Sequence, residues 1–280
     1  MEPLNINEFL YHKYKIIDII TKNEIKKVFL AERISNQEKI IIKEINLLNL
    51  DEQQKNIITQ EGIIFLNLKH DNIVNYEEFH IENNEVYIIM EYCEEDLSKK
   101  IQRQKNLKQY FEEKQIIDWF IEICEGIKFI HDKKILYKNL NPENIFLTKD
   151  NHIKLGDFSI DKYFNQTKGK IGIGSYLSPE IIKGENYNYK NDIWNLGIIL
   201  YELTQLKHPF EDKEISYENK IKKIEKGEFF EFVNANYSVK ILNLIQSLLK
   251  VNPNERLNMN DIILECHIIN IKRNCDSNKK

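Results

Sequence analysis

Apolar residues in the first ninety positions fall in short β-branched runs, over 14–20, 27–32, 39–45 and 86–90. Each run is too short for a stable helix and suits a pleated strand, so four strands are predicted. Between the third and fourth, residues 53–68 change to helical spacing, with Ile57, Ile58, Ile64, Phe65 and Leu68 able to share one face. From Asp96 onward the pattern is mostly helical, most clearly over 115–131, 192–203 and 239–249. A small sheet-rich part followed by a larger helical part predicts an α+β fold, with the acidic stretch 91–96 as the candidate hinge. The apolar runs Ile40 to Ile42 and Ile198 to Leu200 are expected in the core, and the polar stretch 271–280 reads as a frayed tail.

Composition narrows the classes. At 280 residues the chain fits one large domain or two small ones. With 42% hydrophobic and 30% charged residues, and only 9 Gly and 5 Pro, it is neither collagen-like nor mucin-like nor wholly disordered. A net charge of -4 argues against nucleic-acid binding through bulk electrostatics. The four cysteines, Cys93, Cys124, Cys266 and Cys275, form no CxxC pair, so neither a zinc site nor a disulfide framework is expected and a reducing compartment is implied. The opening segment carries Glu2 and Glu8 without an apolar core, and no stretch approaches the ~20 apolar residues of a membrane helix. Neither a secretory signal nor a membrane association is therefore expected.

Three spaced features carry candidate chemistry. Lys43 ends a β-like run, Asn139-Leu140-Asn141-Pro142-Glu143-Asn144 forms a polar string, and Asp157-Phe158-Ser159 follows the run 152–155. Glu61 lies on the intervening helix, and Ser178-Pro179-Glu180 comes further on. In this order the chain resembles a eukaryotic protein kinase domain over residues 14–268. More narrowly it resembles the NIMA-related serine/threonine kinases, through MEYCEEDL at 90–97, NIFLTKD at 144–150, KLGDF at 154–158, YLSPEI at 176–181, DIWNLGIILYELTQLKHPFE at 192–211 and LLKVNPNER at 248–256. The resemblance implies a bilobal fold: an extension over 1–13, a β-rich N-lobe over 14–90, a hinge over 91–95, a helical C-lobe over 96–268 and a polar tail over 269–280.

Phosphoryl transfer by this family is chiefly positioning and charge neutralisation. The resemblance places Lys43 on the nucleotide phosphates with Glu61 as its ion-pair partner. It places Asn144 and Asp157 as oxygen ligands for Mg²⁺, and Val28, Ile41, Met90, Glu91 and Cys93 among the nucleotide-contacting positions. ATP and Mg²⁺ are the implied cofactors.

Against that pattern stand several replacements. Asn139 occupies the position of the catalytic Asp, and an amide is no base near neutral pH, where general acid–base assistance is worth roughly 10²–10⁴-fold. Asn141 replaces the catalytic-loop Lys, and Lys138 replaces an Arg whose planar fork docks phosphate. Thr21, Asn23 and Lys26 stand where the phosphate-loop glycines belong, and side chains there block close backbone approach. Ile41 crowds the position where the family prefers Ala, so weakened nucleotide binding is expected. Ser159, Gly172-Ile173-Gly174 and Gly169 depart from the family's activation segment, with Thr167 a nearby candidate for modification. The scaffold positions are kept: Glu180 and Arg256 as a buried ion pair, Asp192 and Trp194 on the helix supporting the catalytic loop, and Phe65, Tyr137 and Phe158 as an apolar column.

Three functions are open at this point. One is a catalytically weak or inactive kinase-fold protein acting by binding or allostery. The second is an unorthodox active serine/threonine kinase, and the third an interaction module that binds no nucleotide. The resemblance implies cytoplasmic, nuclear or microtubule-associated work, with another kinase or cytoskeletal proteins as partners.

Overall fold

In the computed structural model, residues 12–156, 176–211, 215–233 and 237–277 are described. The chain divides into two compact units, Met1–Glu94 and Glu95–Lys280.

The first unit is built on a five-stranded antiparallel sheet. In chain order its elements are β1 (Tyr14–Lys22), β2 (Lys26–Arg33), β3 (Lys39–Asn46), α1 (Glu52–Leu66), β4 (Tyr76–Glu82) and β5 (Glu85–Glu91). The strands lie in the order β1-β2-β3-β5-β4. Period-two alternation sends Ile40 and Ile42 of β3 to one face, where they form a core with Tyr14, Ala31, Tyr87 and Ile89. Side chains at the start of β1 and the end of β2 reach across to β4. There the Tyr14 hydroxyl donates to Glu78 of β4 at 2.8 Å, Lys13 pairs with the same carboxylate, and Arg33 pairs with Glu77.

Helix α1 begins with a capping box in which Asp51 accepts from the Gln54 N–H and the Gln54 side chain accepts from the Asp51 N–H. Its buried face is Ile58, Gly62 and Phe65, whereas Ile64 is exposed, which corrects the expected face. Gly62 is required by packing: a Cβ there would lie 2.1 Å from the Phe79 ring of β4. Strand β4 escaped the sequence reading because YEEFHIE is an edge strand, half-buried along most of its length.

The second unit has a small sheet in the order β6 (Glu95–Asp96), β7 (Ile145–Leu147) and β8 (Ile153–Leu155). Its helices are α2 (Leu97–Leu107), α3 (Glu113–Asp132), α4 (Pro179–Ile182), α5 (Tyr189–Gln205), α6 (Tyr217–Lys226), α7 (Val239–Leu248) and α8 (Met259–Ser277). Helix α5 is buried almost all round and forms the centre of the unit. Trp194 on it stacks flat on Phe210 at 5.5 Å, and Arg256 lies over its ring at 4.9 Å. The apolar run Ile198 to Leu200 is fully buried here, as expected. The expectation of a frayed tail from 271 is corrected, since α8 continues to Ser277. Among the described residues no helix is long and apolar enough to cross a membrane.

Candidate active site

The expected site residues divide between the two units, and each group has its own geometry. In the first unit, strand pairing sets Val28 opposite Lys43, Leu30 opposite Ile41, and Ile41 opposite Met90. Directly opposed residues share a face, so Val28, Leu30, Ile41, Lys43 and Met90 lie together on the face opposite the Tyr14 core. Lys43 is only 2% exposed, which is unusual for an ammonium and demands local polar company. Glu61 is half-buried on α1, one residue from Gly62. Glu91 accepts from the Asn75 N–H at 2.5 Å, so its carboxylate is used by the protein itself, and Cys93 is half-buried.

Asn23-Glu24-Ile25-Lys26 connects β1 to β2, with Lys22 paired to Lys27. The Asn23 Oδ1 accepts from the N–H groups of Ile25 (2.9 Å) and Lys26 (2.8 Å), and the Asn23 N–H donates to the Lys26 carbonyl at 2.9 Å. This is an ordinary side-chain-capped turn. It agrees with the glycine-free sequence there.

In the second unit, residues 137–144 form a loop held from several sides. Asp192, fully buried at the start of α5, accepts from the N–H groups of Tyr137 and Lys138, both at 3.2 Å. The same carboxylate contacts His131 Nε2 at 2.7 Å and accepts from the Tyr187 hydroxyl at 2.6 Å. Four groups thus meet one carboxylate, the number its lone pairs allow. Burial and the neighbouring Asp192 charge push the Tyr187 phenol well above its ordinary pKa, keeping it a donor. Lys138 has φ 66°, and the Asn139 N–H donates to the Tyr137 carbonyl at 2.8 Å, a three-residue turn of the rare form with positive φ.

Three amides follow. Asn141 Nδ2 donates to the Asn139 carbonyl at 3.0 Å and approaches Asn139 Oδ1 at 3.3 Å. Asn144 Nδ2 donates to the same carbonyl at 2.8 Å, leaving Oδ1 as the atom of Asn144 suited to a hard cation. Asn141 Oδ1 accepts from the Glu143 N–H at 2.9 Å and caps the short 3₁₀ turn Pro142–Asn144. The loop therefore satisfies its polar groups amide to amide, with no carboxylate at position 139.

Tyr137 fills its buried site as a large ring, and its hydroxyl donates to the Gly156 carbonyl at 2.5 Å, with Asn144 O at 3.2 Å. The residue before Asp157 is thereby tied to the loop. Asp157, Phe158, Ser159, Thr167, Gly169 and Gly172-Ile173-Gly174 lie outside the described residues.

The scaffold pair is present as expected. Arg256 Nη1 and Nη2 each contact a Glu180 carboxylate oxygen at 2.7 Å, both residues being buried, and Asn191 Nδ2 adds a bond to Glu180 Oε1 at 2.8 Å. Beside the loop is a cavity of about 470 Å³ whose lining includes Asn141, Pro142, Glu143, Tyr176, Glu202 and His208. Desolvation raises the Glu202 carboxyl to about 7, against the Tyr176 hydroxyl that donates to it at 2.5 Å. The sequence reading did not single out His131, Tyr187 or Glu202, because their partners lie 61, 5 and 26 positions away and no local spacing marks them.

A lysine strand, an Asn-Pro-Glu-Asn turn and a buried Glu–Arg pair in these positions define a protein kinase domain. The protein kinase domain family matches residues 14–267, and the chain belongs to that family. Among its relatives within that family are NIMA-related serine/threonine kinases. Serine/threonine-protein kinase Nek1 of Mus musculus is 40% identical over 256 residues, 90% of this chain and 21% of that protein. Serine/threonine-protein kinase Nek5 of Homo sapiens is 39% identical over 257 residues, 90% of this chain and 36% of that protein. Probable serine/threonine-protein kinase nek3 of Dictyostelium discoideum is 36% identical over 267 residues, 92% of this chain and 23% of that protein. The chain thus spans between about a fifth and a third of the length of these relatives.

The family uses ATP and Mg²⁺, and the described residues fit that pair in part. Lys43 and the Asn144 amide oxygen are of the right chemistry. The 23–26 turn is not, because two of its N–H groups are already bonded to Asn23.

Proposed function

We propose that this protein kinase domain is catalytically weak or inactive and acts by binding or allostery. The observation that carries the reading is the loop at Asn139. An amide stands at the family's base position; its Oδ1 is approached by Asn141 Nδ2 at 3.3 Å, and the Asn139 main-chain carbonyl accepts from Asn144 Nδ2 at 2.8 Å. The phosphate loop points the same way. We take the domain as residues 14–268, with 91–95 as its hinge, and Lys43, Glu61, Asn144 and Asp157 as the residues retained for nucleotide and metal, bound more weakly than in the relatives. Its setting is cytoplasmic, nuclear or microtubule-associated, with another protein kinase or a cytoskeletal protein as partner.

A second reading, an unorthodox active serine/threonine kinase, is favoured by buried Lys43 and by relatives that are named as kinases. A radiolabel-transfer assay with Mg²⁺ or Mn²⁺ separates the two. The first reading expects little or no turnover. Robust turnover abolished by Lys43→Ala overturns it. Asn139→Asp should create activity from nothing under the first reading and modestly raise an existing rate under the second.

A further inference from the structure

The turn at residues 23–26 does more than lack glycine. We propose that Asn23 is a selectivity residue that closes the amide cradle of the β1–β2 turn, so that the domain takes a purine nucleoside or its monophosphate about as readily as the triphosphate. The inference rests on the reading that a nucleotide-binding capacity remains.

Backbone N–H groups at the tip of a phosphate loop bind anions because they converge and have no other partner. Here Ile25 N–H and Lys26 N–H converge on a single acceptor, Asn23 Oδ1, at 2.9 and 2.8 Å. The chain itself thus supplies the oxygen that a phosphate would otherwise supply. The turn is also pinned from outside, since the Asn46 N–H of β3 donates to the Ile25 carbonyl at 2.8 Å and the Asn23 N–H to the Lys26 carbonyl. A phosphate must displace an intramolecular acceptor before it gains anything from these amides. Strand register gathers Val28, Leu30, Ile41 and Met90 beside Lys43 on one apolar face, which can receive a flat ring without calling on the turn's amides. Asn23 is exposed and its φ is not in the left-handed region, so replacing it removes the acceptor without straining the fold.

The test is calorimetric titration of the whole chain with adenosine, AMP and ATP in the absence of divalent cation, for wild type, Asn23→Ala, Asn23→Gly and Asn23→Asp. Wild type should bind adenosine and ATP within tenfold of one another. Asn23→Ala and Asn23→Gly should tighten ATP at least tenfold while leaving adenosine unchanged. Asn23→Asp, which keeps the acceptor, should show no such gain. A wild-type preference for ATP above tenfold, or an Asn23→Ala variant with unaltered ATP affinity, overturns the role of Asn23 while leaving nucleotide binding standing. Wild type that binds none of the three overturns nucleotide binding itself, and this inference with it. Unfolding midpoints for all four proteins identify any variant that fails to fold, in which case the remaining alanine or glycine variant decides.

Discussion

Glu202→Gln tests the electrostatics of the cavity beside the 137–144 loop. In the folded protein desolvation is the largest influence on this carboxyl. The Tyr176 bond opposes it, the Glu211 charge adds to it, and Lys105 offsets a little, leaving the group at about 7. In the unfolded chain a glutamate titrates near 4.3. Between these values the folded state holds a proton that the unfolded state has released, so stability falls as pH rises from about 4.3 to 7. At ~1.4 kcal/mol per pH unit the upper limit is about 3–4 kcal/mol, and water entering the cavity should reduce it to about 2. Glutamine mimics the protonated form and still accepts from Tyr176. Urea unfolding of wild type and Glu202→Gln at pH 3, 5, 6, 7 and 8 should give matching stabilities at pH 3, with the variant more stable by about 1 kcal/mol at pH 5 and about 2 kcal/mol at pH 8. Subtracting the two profiles cancels every other titrating group. A difference constant across pH would refute a raised Glu202.

Removing Arg256 with alanine leaves Glu180 buried without its bidentate partner, and chemical denaturation should show a loss of about 3–5 kcal/mol; a loss below about 1 kcal/mol would mean that solvent reaches the pair. Tyr137→Phe keeps the ring and removes the donor to Gly156 and Asn144. It should cost about 1–2 kcal/mol in urea unfolding and speed hydrogen exchange over residues 145–156. Unaltered stability and exchange would count against the hydroxyl as the tie between those segments.

Strong alternation and long periodicity made much of this molecule legible. Ile40 to Ile42 and Ile198 to Leu200 announced core elements because burial on every side leaves no polar positions to blur the pattern. Elements with one thin apolar stripe escaped notice. Helix α2 buries only Leu97, and α6 buries Ile224 together with the unexpected Lys220, which pairs with Glu211 at 2.9 Å. Polar composition likewise hid the continuation of α8 to Ser277, since the same residues suit a helix end and a frayed tail. At the site, the identity of each replacement was readable from the sequence, whereas its consequence was not. That Asn23 consumes the turn's own amides, or that Asn141 and Asn144 converge on the Asn139 carbonyl, depends on side-chain directions that spacing does not specify.

Asp192 grips the loop through the main-chain N–H groups of Tyr137 and Lys138. Main-chain groups are the same for every residue type except proline. This grip therefore does not depend on which side chains stand at 138 and 139, and that part of the loop's shape is inherited separately from its chemistry. A domain so constructed can lose its reaction in a few steps and still be recognised by whatever has learned to bind its outline.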